Sequence, residues 1–160
     1  MRCFLLLCLL FWPLQAFGEV DAALIHKIVM SELSALKMPL DSPFCLAILP
    51  SKNTSSTGAD PSPHLLAFLS KRGMHPKKAS VCYKALRGNV IAIDLAPEAD
   101  GQLRAKVAFS DVTIPPGEDL GTLIRRGVYH FIKNRHGEWI IMSYTAEIPE
   151  PSTKPGAARQ

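Results

Sequence analysis

The chain has 160 residues, 18 lysines and arginines against 14 acidic residues, a net charge of +4, and 48% apolar residues. A chain of this size holds one domain around a single core. Its basic residues are spread along the sequence, whereas a nucleic-acid binder concentrates them on one stripe or helix.

Arg2 precedes an apolar run from Cys3 to Leu14, broken by Pro13, and Ala16-Phe17-Gly18 follows with small residues at the positions a signal peptidase reads. This is the three-part layout of a secretory leader, with cleavage expected before Glu19. The competing reading is a retained membrane anchor, but the run is shorter than the about 20 residues a bilayer core requires. A lipid-modified Cys8 is disfavoured, because the small residues such a site prefers are missing around it. Removal of residues 1–18 leaves 142 residues (160 − 18) and a balance of 17 − 14, or +3, since Arg2 is the one charged residue lost.

From Asp21 to Lys37, Leu24, Ile25, Ile28, Val29, Leu33 and Leu36 recur at helical spacing, with Lys27, Ser31 and Ser34 on the other side. Asp21 is placed to cap this helix and Pro39 to stop it. Phe44 to Leu49 then reads as a short strand covered on both faces. The polar stretch PSKNTSSTGADP is expected to be a mobile loop, too poor in apolar surface to order itself. Within it Asn53-Thr54-Ser55 fits a glycosylation acceptor, a match short enough to arise by chance. A second helix follows, with Ser62 as N-cap, Pro63 at the first position, Leu65, Leu66 and Leu69 on one face, and Gly73 after its end.

Beyond that helix the chain is expected to be all strand. The segment ASVCYK reads as a strand, and Arg87-Gly88-Asn89 as a turn into the strand Asn89 to Ala96. In QLRAKVAFSDV, Leu103, Ala105, Val107 and Phe109 alternate with Arg104, Lys106 and Ser110, the pattern of a half-buried strand. The last two strands cover about Thr122 to Lys133 and about Glu138 to Glu147, joined by a hairpin loop, NRHG, with glycine placed for a positive φ. After Ile148, residues 149–160 hold three prolines and no apolar pattern, so they read as a disordered tail. The fold expected is α+β, in the order α-β-α-β-β-β-β, with two helices packed on a curved antiparallel sheet over residues 19–148. Gly127 is a candidate bulge that helps bend it.

Export leaves Cys45 and Cys82 as the mature cysteines, and two cysteines in an oxidising compartment most simply pair. Two buried free thiols are an alternative. A reactive thiol is another, and it needs a nearby base and a reducing environment.

Polar residues on apolar strands are the catalytic candidates: Asp94, Asp111, Arg125, Tyr129, His130 and Tyr144. Asp94 shares a face with Val90 and Ala92, and Ile91, Ile93 and Leu95 form the opposite one. An inward Asp94 would be a candidate base; the alternation favours isoleucines inside and Asp94 in water. Val128, His130 and Ile132 alternate with Tyr129 and Phe131, so neither face of that strand is assigned to the interior, and His130 reads as a surface or hydrogen-bonded histidine. No serine, cysteine or aspartate has a histidine at a known motif spacing, so no catalytic residue is assigned. His26, His64, His75, His130 and His136 are scattered and no acidic loop has a calcium-binding pattern, so neither a metal nor a cofactor is expected. Lys71, Arg72, His75, Lys77, Lys78, Lys84 and Arg87, then Arg125 and Arg126, would attract an anionic partner if gathered on one face. Charge complementing a helix C-terminus already accounts for Lys71 and Arg72.

The hairpin GVYHFIKNRHGEWIIMSYTAEI resembles the closing strands of cystatin-like cone folds, including the nuclear transport factor 2-like superfamily. There a tyrosine-bearing strand, a tight glycine turn and a tryptophan-bearing strand end the domain. The likeness covers about the last quarter of the chain and implies a pocket between helix and sheet. The glutamine–valine–glycine loop of cystatin-type inhibitors is absent. The segment DPSPHLLAFLSKRGMHPKKASVC resembles one in uncharacterised exported bacterial proteins and implies no activity. Fold of this kind does not settle function. The expectation is an exported, non-enzymatic module that binds a protein or small ligand, with no nucleic acid and no transmembrane segment after cleavage. The alternative is a small cone-fold pocket enzyme acting on a small molecule.

Overall fold

The computed structural model describes residues 21–50, 60–113 and 122–147, with only the backbone described for Pro50, Thr122 and Glu147. The leader, the glycosylation match with residues 51–59 of its loop, and the C-terminal tail lie outside the described residues.

The first helix, α1, spans Ala22–Ala35, and the Asp21 carboxylate accepts from the Ala23 and Leu24 amides at 3.0 and 3.2 Å. Two of the amides that every helix start leaves without a partner are thereby satisfied. Its buried stripe is Leu24, Ile25, Ile28, Val29, Glu32 and Leu33, and each aliphatic member contributes about 1.5–3 kcal/mol of burial. Strand β1, Pro43–Pro50, is buried on both faces at Phe44, Cys45, Leu46 and Ala47. Helix α2, Pro63–Ser70, begins where the Ser62 hydroxyl accepts from the Leu65 amide at 3.2 Å, and it buries Leu65 and Leu69.

The next stretch departs from expectation. His75–Lys78 forms a short strand, β2, and Ala79–Ala85, read above as a strand, is a helix, α3. Val, Cys and Tyr favour strands, but the capping that decides the matter comes from elsewhere in the chain. The Asp60 carboxylate accepts from the Ser80 amide at 3.0 Å and from the Ser80 hydroxyl at 2.7 Å. Ala79 and Cys82, three apart on one helix face, turn into the protein and leave Val81 outside. Leu86, in the left-handed region at φ 49°, ends the helix, and Gly88 at φ 110° turns the chain into the next strand.

From here the meander runs as read: β3 Asn89–Pro97, β4 Leu103–Asp111, β5 Thr122–Lys133 and β6 Trp139–Glu147, all antiparallel, with Gly137 at φ 78° in the last hairpin. The sheet has six strands in the order β2-β1-β3-β4-β5-β6, with β1 parallel to both of its neighbours. The protein is therefore α+β, with three helices and one open mixed sheet.

Alternation sorts the strands onto two faces. Phe44, Leu46, Ile91, Ile93, Leu103, Ala105, Val107, Phe109, Tyr129 and Phe131 join the buried side chains of α1 and α2 in the main core. On the other face α3 covers one end, packing Ala79 and Cys82 against Cys45, Ala47, Val90 and Val112. The sulfurs of Cys45 and Cys82 lie 2.15 Å apart, at disulfide distance, with Cα atoms 6.2 Å apart.

The bulges sit between Phe109 and Ser110 and between His130 and Phe131, not at Gly127. Gly127 answers a different need. A Cβ there would lie 2.8 Å from Tyr144 Cε2 and 3.1 Å from Glu32 Oε1, so a larger residue would displace the Tyr144 ring and the Glu32 carboxylate that close over β5 at this point.

Candidate functional site on the open face of the sheet

Among the described residues only α3 packs on that face, at one end, and it leaves the rest open. Cross-strand register builds it in rows. Ala47, Ala92, Ala108 and Arg126 form one row, and Leu49, Asp94, Lys106 and Val128 the next. The three alanines keep the floor low between taller neighbours. The result is a groove of about 350 Å³ lined by Leu49, Ala92, Asp94, Lys106, Ala108, Arg126 and Val128, with Val107 and Gly127. That volume lies at the small end of ligand pockets, which run from about 300 to 1,000 Å³.

Asp94 is the unusual member. Ile91 and Ile93 face the core as the alternation predicts, and Asp94 faces the other way, yet it does not stand free in water. Its Oδ1 is buried and has no hydrogen-bond partner. Lys106 lies directly opposite in the register, with its side chain exposed, and exposed Arg126 lies across the groove. A desolvated acceptor without a donor costs about 1–3 kcal/mol, so this oxygen favours any ligand that brings an N–H or O–H to it. Lys106 and Arg126 add positive potential beside it. The row beyond carries His130, whose Nδ1 is 2.9 Å from Glu98 Oε2, and Arg104, whose Nε is 3.8 Å from the other oxygen of the same carboxylate.

A second polar cluster lies on the covered face and was only partly foreseen. Glu32 of α1 is 1% exposed. Tyr129 donates to its Oε1 at 2.6 Å and also contacts Ser31 Oγ at 3.0 Å. The Arg125 Nε is 3.3 Å from Glu32 Oε2, close enough for an ion pair although not aligned as a hydrogen bond. Arg125 in turn donates to the Tyr144 hydroxyl, and the rings of Tyr129 and Tyr144 lie 4.4 Å apart. Burial, reinforced by the hydrogen bond to Glu32, pushes the Tyr129 hydroxyl well above its ordinary value, so Tyr129 stays a neutral donor. Three sequence candidates, Arg125, Tyr129 and Tyr144, therefore do meet, around a fourth residue that the reading missed. The signal was available: Glu32 follows Ile25 by seven residues and Ile28 by four, on the stripe that faces the core.

The remaining candidates scatter. Asp111 ends β4, where its carboxylate accepts from the Thr113 amide at 2.8 Å. Lys77 and Lys78 sit on β2 and Lys84 and Arg87 on or after α3, whereas Arg125 and Arg126 lie on β5, four strands away from β2 in the sheet. The basic residues do not form one face. Arg72 lies over the Phe68 ring at 3.5 Å. Among the described residues, no group of three His, Cys, Asp or Glu is placed to hold a metal, and no helix is long and apolar enough to cross a membrane. The chain matches no protein-family model and no curated protein.

Proposed function

We infer that this protein is an exported, non-enzymatic binding module that takes its ligand on the open face of the sheet. The buried, partnerless Oδ1 of Asp94 in the groove carries this reading. The groove suits a small ligand, or a partner's side chain, that offers a donor to Asp94 and a negative group to Lys106 and Arg126. Cysteines at disulfide distance are compatible with export and with the leader read from residues 1–18. The helix α1 lying against an antiparallel meander supports the likeness to a cystatin-like or nuclear transport factor 2-like cone; the parallel pairing around β1 lies outside that likeness.

The enzyme alternative would assign its chemistry either to Asp94, beside which no described histidine, serine or cysteine lines the groove, or to the buried carboxylate of Glu32. Both of its oxygens are already engaged, by Tyr129 and Arg125, and a base held in this way is a fastening between helix and sheet. The test is native mass spectrometry of mature protein from its own exporting compartment, wild type beside Asp94→Ala. The expected result is a mass starting at Glu19, two hydrogens below the reduced chain, with a small-molecule adduct that the variant loses. Equal adduct, or none, on both proteins overturns the assignment to Asp94.

A further inference from the structure

The groove on the open face holds three charged side chains in a fixed arrangement, and together they select more narrowly than any one alone. Asp94 and Lys106 face each other in one row, and opposite residues of an antiparallel pair stand about 4.5–5.5 Å apart. Arg126 belongs to the neighbouring row, opposite Ala108. It is therefore the diagonal neighbour of Lys106, about 7–8 Å away. Between the two cations the floor is Ala108, with Ala92 beside it. Lys106 and Arg126 are exposed, while Oδ1 of Asp94 is buried without a partner.

On the reading of the groove as a ligand site, on which this inference rests, we propose that the ligand is an acidic α-amino acid, glutamate or aspartate. Simpler ligands leave part of the groove unanswered. A plain anion would meet Lys106 and Arg126 but bring negative charge beside Asp94 and give its Oδ1 no donor. A plain amine would reach Asp94 and oppose both cations. A neutral amino acid would serve Asp94 and Lys106 and leave Arg126 unused. An ammonium and a carboxylate on one carbon match Asp94 and Lys106, which are opposite each other in one row. A second carboxylate, one or two methylenes along, matches Arg126. The methylenes pass over Ala108, where a larger side chain would stand in their way. The ligand's one positive and two negative charges thus complement one carboxylate and two cations.

The test is nuclear magnetic resonance titration of the mature, oxidised, isotope-labelled protein with L-glutamate and three relatives. Glutarate lacks the ammonium, γ-aminobutyrate the α-carboxylate, and L-glutamine the second negative charge. Glutamate is expected to shift the amides of Ala92 to Asp94, Lys106 to Ala108 and Arg126 to Val128, and to saturate. Each relative is expected to bind at least about tenfold more weakly, as loss of one hydrogen bond to a charged group implies. Asp94→Asn should weaken glutamate by the same factor. Ala108→Leu alters no charge and should block glutamate, which keeps the test decisive if the Asp94 variant does not fold. Glutarate or glutamine binding as tightly as glutamate, or no shift in the groove with glutamate, overturns the proposal. The groove itself is judged separately. With glutamate inert, an adduct that Asp94→Ala loses condemns the ligand class and leaves the site standing, whereas no such adduct condemns both.

Discussion

The two edges of the sheet solve one physical problem in opposite ways. At one end, β2 is four residues long, His75-Pro76-Lys77-Lys78, so its free backbone is brief, broken by proline and guarded by two ammonium groups. At the other, β6 is nine residues long, uncharged from Trp139 to Ala146 and apolar on both sides. The fastenings differ as well. Beside β2, α3 is tied down by Cys82 next to Cys45 and by the Asp60 carboxylate at Ser80. β6 is tied to the start of α1 through Trp139 Nε1 on Asp21 Oδ2 at 2.7 Å and Lys27 on the Trp139 carbonyl, and to β5 through Arg125 on the Tyr144 hydroxyl. The short, charged edge is guarded by its residues, whereas the long, uncharged one is interrupted by the bulge at Met142.

That contrast can be broken at either end. The largest effect is expected from Cys45→Ala/Cys82→Ala. With the two cysteines 37 positions apart in sequence, loss of the cross-link costs about 4 kcal/mol on the chain-entropy account. Hydrogen exchange should rise first in β2 and α3, with the mass in solution unchanged. If β6 loosens first, the two ends are not independent.

Next is Glu32→Ala, which leaves Arg125 and Tyr129 without their shared partner and costs about 3 kcal/mol. Denaturant unfolding reads the loss, and exchange at β6 should rise more than at β2. Equal loosening of both edges would show that the cluster braces the whole sheet.

The smallest effect is at Asp60. Hydrogen bonds from Ser80 hold its carboxyl below the ordinary 3.8. The folded form therefore prefers the ionised group, so this contribution is complete above pH 3.8 and is lost as pH falls through the depressed value. Asp60→Ala should cost about 1 kcal/mol, as an N-cap does, and should remove that part of the acid dependence. An unchanged acid midpoint would show that Asp60 does not hold α3.

What the sequence disclosed follows from where each signal resides. Asp21 and Ser62 cap helices within their own segments, and the alternation from Leu103 to Phe109 records its own burial, so α1, α2 and the meander were legible. The helix α3 was not, because its cap is supplied by Asp60 from beyond α2 and its local residues favour strand. β2 was hidden by the same features that blunt it, since proline and two lysines do not look like a strand. In the groove, alternation placed Asp94 on the face away from the isoleucines. That one of its oxygens is shut from solvent depends on which rows line up beside it, and only the register reveals that. Gly127 was noticed for the wrong reason: what it accommodates comes from α1 and β6, not from its own strand.

Strand β1, apolar on both faces, pairs only with segments made after it: Pro43 lies against His75 and Cys45 against Val90. During synthesis, therefore, its most aggregation-prone stretch has no strand partner until the chain has grown past His75, and its second neighbour comes only after Val90. Parallel pairing of this kind is slow because a long loop must close before any contact rewards it. The protein's exposure to misassembly is thus greatest when half of it has emerged, and a helper that covers Phe44 to Leu49 during that interval would act on yield without changing the finished fold.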